Sequence, residues 1–316
     1  MIRYVLKRIL ALIPIFVAVS FVIFSLLQLT PGDPASIVAG TGAPKEAVEQ
    51  LREEMGLNDP FLVRYFNYLK GIVTKFDLGT SYETKTPVTE RILTAFPATL
   101  RLALASILFA IVVGLPIGII SATKQYSVLD NTFMVIALIG ISLPVFWSGL
   151  MLILLFSVKL RWLPSSGFST IRHLILPGIT LGAQSAAMIT RMTRSSMLDV
   201  IRQDYIRTVR AKGLPELGIT FSHVLRNALI PIVTVIGLQF GQLIGGAVLT
   251  ETIFSIPGIG RLMVQALKTR DYPVILGSVL FISLLFCLTN LVIDVVYAYL
   301  DPKIKAQYSR ERGKKA

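Results

Sequence analysis

RMTRSSMLDVIRQDYIRTVRAKGLPELGITFSHVLRN, residues 191–227, is a basic segment lying between two long apolar runs. Its middle part, DYIRTVRAKGLPEL, reads as a helix that stops at Gly213 and restarts after Pro215, since glycine ends helices and proline opens them. The segment is therefore a helix-turn-helix hairpin with a basic first arm, open to water between stretches that are not. It is the kind of handle by which a soluble partner docks on a membrane protein.

Outward from this hairpin the chain is written for lipid. Hydrophobic residues make up 53% of the 316 residues and charged ones 16%, with a mean hydropathy of +0.70. Six uncharged windows, 9–30, 102–123, 131–158, 173–190, 227–250 and 272–293, are long enough to cross about 30 Å of hydrocarbon as helices. The expected fold class is all-α, a polytopic membrane protein with six transmembrane helices. The fourth window is the shortest and holds Pro177, Gly178 and Gly182, which predicts a kinked or partly unwound helix. Arg3, Lys7 and Arg8 precede the first window as in a secretory signal, but that window is too long for one and Pro31-Gly32-Asp33-Pro34 offers no small-x-small cleavage site. It reads as a retained anchor.

Lysine and arginine placement sets the orientation. With the N-terminus inside, the cytosolic face receives Arg3, Lys7, Arg8, Lys124, the basic residues of 191–226 and those of the tail from Lys303. The short outer loops hold fewer, Lys159, Arg161, Arg172, Arg261, Lys268 and Arg270, so both termini are expected in the cytosol. The net charge of +13 follows this positive-inside distribution and does not indicate nucleic acid. Cys287 is the single cysteine, which excludes an intrachain disulfide and implies no thiolate chemistry.

Four divisions result: an N-terminal anchor at 1–30, an extracytoplasmic region at 31–99, a core of five helices at 100–300 and a basic cytosolic tail at 301–316. In the outer region, Pro44 can open one amphipathic helix with Val48, Leu51 and Met55 on one face. Asp59 is expected to cap a second, with Pro60 at its first position and Leu62, Tyr65, Phe66, Leu69 and Ile72 as its apolar stripe. A second outer element, ETIFSIPGIGRLMVQALKTRDYP at 251–273, bends at Pro257–Gly260 and reads as a re-entrant hairpin with a short helix, or else as an ordinary surface loop.

Gly237, Gly241 and Gly245 recur every fourth residue, which predicts a close helix contact along one face of the fifth window. Gly114 and Gly118 repeat the pattern in the second. Gln184, Gln239, Gln242 and Asn290 are expected to point inward, either satisfying one another or lining a hydrated pathway. Asp294 is expected to pair with a cytosolic arginine. No G-x-x-x-x-G-K-[ST] loop, no metal-ligand cluster and no nucleophile-base arrangement stands out, so the chain does not read as an enzyme. The window centres lack Asp, Glu, Lys and Arg, which argues against an ion-coupled secondary transporter.

DYIRTVRAKGL at 204–214, SHVLRNALIPIVTVIGLQFGQLIGGAVLTETIF at 222–254, PGIGRL at 257–262 and RDYP at 270–273 resemble the permease subunits of bacterial dipeptide, oligopeptide and nickel importers of the ATP-binding-cassette class. MIRYVLKRIL at the start, PGDP, MGLNDP, LGTS, ILPGITLG at 175–182 and RMTRSSMLDV at 191–200 extend the likeness over nearly the whole chain. It is most similar to the first permease of dipeptide and glutathione systems. In the family's coupling segment a Glu-Ala-Ala triplet precedes a glycine; here Arg207-Thr208-Val209 takes the triplet's place and Gly213 the glycine's, Leu225 fits, and Arg226 stands where many importers have proline.

The resemblance implies a type I importer permease whose coupling hairpin, about 199–226, seats in a cleft of a cytosolic ATPase. Asp204, Tyr205, Arg207, Thr208, Arg210, Ala211, Lys212, Gly213 and Leu214 would carry that contact, with Arg207, Arg210 and Lys212 pairing acidic rims. It further implies a second permease, one or two ATPase subunits, an extracytoplasmic binding protein and a bacterial inner membrane. ATP and Mg²⁺ would be bound by the partner subunits and no cofactor by this chain. Systems of this kind carry dipeptides, longer peptides, glutathione, nickel chelates or oligosaccharides.

Overall fold

The computed structural model describes residues 2–29, 32–40 and 42–300. Among them the chain is helical, with one isolated bridge between Thr80 and Pro87. The tail from Lys303 and the side chain of Asp294 lie outside the described residues.

Helix α1 (Ile2–Leu29) is followed by three outer helices, α2 (Pro34–Ala39), α3 (Lys45–Glu54) and α4 (Phe61–Lys75). The sequence led us to expect two. Asp33 starts the additional one, its carboxylate accepting the Ala35 amide at 3.3 Å and the Ser36 hydroxyl at 2.9 Å. Asp59 does not cap α4: Pro60 takes the N-cap position, with no side-chain cap bond. The expected stripe of α4 is also only partly covered. Tyr65 is buried, but Leu62 and Phe66 are exposed. Instead α4 meets α1 through aromatic edges, with Phe21 and Phe24 against Phe61 and Tyr65 at centroid distances of 5.3 to 5.9 Å. The Tyr65 hydroxyl donates to the Val17 carbonyl at 3.0 Å and bonds Ser20 at 2.9 Å.

The core is built on α5 (Val88–Thr123), whose 36 residues span about 54 Å at 1.5 Å per residue. After it come α6 (Val128–Ser142), α7 (Val145–Leu152, continued by a π-turn at Ile153–Lys159) and α8 (Arg172–Ile201). The third window is not one straight helix. It breaks at Leu143-Pro144 and bends by 105°. Proline excludes the helical conformation from the residue before it, and Leu143 is accordingly extended at φ −77, ψ 129.

The fourth window is not unwound: α8 runs unbroken through Pro177, Gly178 and Gly182. Its glycines serve close approach. A Cβ added at Gly182 would lie 2.5 Å from the Ser106 carbonyl oxygen of α5, and one at Gly114 of α5 would lie 2.5 Å from the Ala186 carbonyl oxygen of α8. Each helix thus presents bare backbone to the other, and Leu102, Ile107, Leu176 and Ile189 close the interior around the seam.

The chain continues through α9 (Asp204–Ala211) and a single turn, α10 (Glu216–Gly218), which passes by a π-segment (Ile219–Leu225) into α11 (Arg226–Gly246). Then follow α12 (Val248–Ile253), α13 (Ile259–Thr269) and α14 (Tyr272–Leu300). Gly237, Gly241 and Gly245 of α11 all face α14, where added Cβ atoms would meet Ile293 at 2.5 Å, Phe286 at 3.3 Å and Ile282 at 3.7 Å.

Three helical segments, Val88–Thr123, Glu216–Gly246 and Tyr272–Ile293, are each long and apolar enough to cross a membrane, and the bent pair Val128–Ser142 and Val145–Lys159 makes a fourth if it counts as one. The other two windows lie on α1 and α8.

Candidate functional site

The hairpin of 204–218 is anchored through α9. Ile206 is fully buried and packs with Ala122, Met197, Ile219 and Val224, and the partly buried Val209 packs against the same cluster. This one-sided pattern is what a short amphipathic helix produces when apolar positions three apart turn to the core. Gly213 ends the arm at φ +78, in the left-handed region that glycine alone adopts freely, and Pro215 sets the start of the next turn.

Arg207, Lys212 and Leu214 are exposed, as is Leu217 on the second arm. Asp204, Thr208 and Ala211 share the outer surface of α9. Arg207 reaches Asp204 at 3.8 Å, both largely in solvent. Tyr205 is tied back: its hydroxyl accepts from Asn227 Nδ2 at 2.8 Å and lies 3.4 Å from the His223 carbonyl. Arg210, expected to pair an acidic rim of a partner, also has a carboxylate within this chain. Its Nε donates to Glu216 Oε1 at 2.6 Å across the turn, so the guanidinium braces the two arms of the hairpin. The Glu216 carboxylate raises the Arg210 pKa above the ordinary arginine value.

Residues 191–201 are not part of the water-facing handle. They form the end of α8, where Thr193, Met197 and Val200 are buried. Arg194 there makes a two-point ion pair with Asp130 of α6, Nε to Oδ1 at 2.7 Å and Nη2 to Oδ2 at 2.8 Å, with the aspartate side chain only 1% exposed. Asp130 also accepts the Tyr126 amide at 2.9 Å, and Ser127 caps the helix that carries it. The pair fastens the α5–α6 connection to the helix that leads into the hairpin.

Two of the four polar residues expected to face inward bond to the helices around them. Gln184 donates to the Ile141 carbonyl at 3.2 Å, in the last turn of α6 where the break before Pro144 leaves carbonyls without helical partners. Gln239 accepts from Ser185 at 2.9 Å. They do not bond each other. Gln242 is exposed on this chain, and Asn290 is half-buried.

At the other end of the bundle, α12, the turn 254–258 and α13 form a bent hairpin over α5. Its centre is Glu251, which has no exposed surface. Glu251 Oε1 accepts the Thr99 hydroxyl at 2.6 Å, Oε2 accepts the Arg261 amide at 3.0 Å, and Thr99 Oγ1 accepts the Ile259 amide at 2.9 Å. Gly258 and Gly260 leave room for the carboxylate, since a Cβ on either would collide with it. Burial pushes the Glu251 carboxyl above the usual carboxylate range, with the bonds from Thr99 and the backbone opposing.

Nearby, the fully buried Asp271 accepts from the Ser81 hydroxyl, from the Tyr82 amide at 3.0 Å and from Arg91 at 3.4 Å. This joins the linker of 76–88 to the start of α14. Sequence reading passed over Asp130, Glu251 and Asp271. Their common signal is position: each is a lone carboxylate within a residue of the end of an apolar window.

Residues 114–306 match the family described as binding-protein-dependent transport system inner membrane component, and residues 1–103 match the N-terminal family of the same membrane components. The chain is 45% identical to the dipeptide transport system permease protein DppB of Alkalihalophilus pseudofirmus, over 96% of its own length and 100% of the relative's. It is 44% identical to the glutathione transport system permease protein GsiC of Escherichia coli K12, over 96% and 99%. Among solved structures, an inward-facing conformation of the MetNI methionine ABC transporter matches with a TM-score of 0.59 at 21% identity, covering 67% of this chain and 97% of that one. That likeness shows the type I importer permease fold. These relatives are transport components, and the chain is not an enzyme.

Proposed function

This chain belongs to the family of inner membrane components of binding-protein-dependent transport systems, and on that premise we propose that it is one permease of an ATP-driven peptide importer in a bacterial inner membrane. Six segments cross the bilayer, α1, α5, α6 with α7, α8, α10 with α11, and α14, and both termini are cytosolic. α8 is the least apolar of them, but it is enclosed by other helices and need not face lipid. A second, similar permease completes the pathway, ATP and Mg²⁺ bind to the cytosolic ATPases, and an extracytoplasmic binding protein delivers cargo at the outer face.

The observation that carries this reading is the hairpin: a short stiff element fixed by Ile206, with Arg207, Lys212, Leu214 and Leu217 standing free of the bundle. Exposed apolar and cationic groups together suit a cleft with acidic rims on a soluble subunit. Closing of the ATPases on ATP would move the hairpin and, through Ile206, the ends of α8 and α11, switching access of the pathway. Peptide cargo is favoured by the dipeptide and glutathione permeases to which the chain is similar.

The test is affinity purification of the tagged chain from mild-detergent membranes, with ATPase activity measured on what accompanies it. Recovery of a second permease and ATPases is expected. A Gly213→Pro variant should insert normally and lose substrate-stimulated hydrolysis. A homogeneous chain that moves solute under an ion gradient, or a Gly213→Pro complex with normal stimulation, overturns the reading.

A further inference from the structure

At the outer end of α5 a cleft of about 770 Å³ opens between that helix, the start of α13 and Phe168. This is within the about 300–1,000 Å³ of small-ligand sites. Its lining carries three guanidinium groups, Arg91, Arg101 and Arg261, and one carboxylate, Glu90. Arg91 is already committed, donating to Ser81 at 2.9 Å and to the buried Asp271 at 3.4 Å.

The other two cations are not neutralised. Arg101 lies over the Phe168 ring, 5.8 Å from its centroid, and forms no ion pair among the described residues. Arg261 Nη1 donates to the uncharged Ser255 carbonyl at 2.8 Å. Glu90 is separated from Arg101 by about 16 Å of helix axis. The rest of the lining is mixed, with Ala95, Ala98 and Leu262 beside Thr94 and Gln265.

The elements that bear Arg101 and Arg261 are also held in register. Thr99, two residues before Arg101, bonds both Glu251 and the Ile259 amide, and Glu251 holds the Arg261 amide. Two guanidinium groups without a carboxylate partner, borne on elements held in register beside a partly apolar wall, complement a short ligand that ends in a carboxylate and has an uncharged body. We propose that this cleft receives the C-terminal carboxylate of the peptide cargo, held by Arg101 and Arg261 as it leaves the binding protein. The proposal rests on the peptide-permease reading above.

The experiment uses the complete transporter in proteoliposomes, with binding protein saturated with dialanine or with dialanine amide. Variants are Arg101→Gln and Arg261→Gln, with Arg101→Lys as the conservative form. Loss of a charge-assisted bond lowers the maximal import rate of dialanine by about tenfold to a hundredfold. The expected result is that loss, with partial recovery in Arg101→Lys, an unchanged half-saturating concentration of loaded binding protein, and amide import equal in variant and wild-type complexes.

A raised half-saturating concentration at an unchanged maximal rate makes the cleft a docking surface for the binding protein and overturns the proposal. Equal losses for dialanine and its amide, or no loss for either, overturn it too. Failure of the wild-type complex to import either peptide strikes instead at the permease reading itself.

Discussion

Glu251 and Thr99 lie 152 residues apart in the chain, and their side chains meet at 2.6 Å where neither has appreciable exposure. Thr99 is both donor and acceptor in this contact, because its oxygen also takes the amide that opens α13. One hydroxyl therefore joins a long core helix to both arms of the outer hairpin.

Thr99→Val keeps the shape of the side chain and removes that junction. The Ile259 amide and one carboxylate oxygen lose their partner in a buried place, which costs about 1–3 kcal/mol for each unsatisfied group. Denaturant unfolding in detergent should show a loss of that size, and a cysteine at 262 should become more reactive to soluble maleimide. Unchanged stability and labelling would show that the hairpin is held by packing alone.

Glu251 also predicts a pH dependence. Its folded pKa is raised by burial, so the folded state holds a proton that the unfolded chain releases. The contribution is fully present below the ordinary carboxylate pKa and is lost as pH rises through the higher folded one. Melting temperatures of the wild-type protein should therefore carry a downward slope in that window, and Glu251→Gln should flatten it. An identical slope in the variant assigns the titration elsewhere.

Asp130→Asn leaves Arg194 as a half-buried charge without its counter-ion. Breaking such a pair costs about 3–5 kcal/mol, whereas replacing both partners by apolar side chains is far milder. The double variant Asp130→Leu with Arg194→Met should recover most of the loss. A double-mutant cycle with no coupling would contradict the two-point geometry.

Gly182→Ala and Gly213→Ala separate two reasons for glycine. The first places a Cβ 2.5 Å from a backbone oxygen of α5, and packing strain of this kind costs about 1–3 kcal/mol. The second meets nothing within 4 Å but holds φ at +78, and left-handed backbone costs an alanine about 1–2 kcal/mol. Unfolding should show both losses, but only the first should disturb the α5–α8 seam, read by crosslinking cysteines placed at 105 and 178, where a Cβ at 178 would stand 3.5 Å from that of Ala105. Equal crosslinking in both variants would refute the close contact.

The long helices and the basic hairpin are legible because hydropathy and the Gly213–Pro215 turn act locally. Pro144 is a different case. Pro97, Pro116, Pro177 and Pro231 all sit inside continuous helices, while Pro144 marks a corner of 105°. Nothing in the windows distinguishes them, because the outcome depends on what covers the freed carbonyls, and that cover includes Gln184 from another helix. The same limit hid Glu251 and Asp130. A carboxylate beside an apolar run reads as the water boundary, and only the fold brings Thr99 or Arg194 to it. The outer stripe of α4 was legible in part for a related reason: its periodicity identified a helix, but the aromatic side chains of α1 determined which edge was covered.

The brace between Arg210 and Glu216 has a consequence for whatever protein seats on the hairpin. Because the arms are already joined across their turn and Ile206 is keyed into the bundle, contact does not require a loose loop to be ordered first, and the entropic penalty of association is correspondingly small. On the importer reading proposed above, the element would transmit in both directions: a push on the hairpin would reach Met197 and Ala228 through Ile206, and a shift of those helices would return to the surface by the same route.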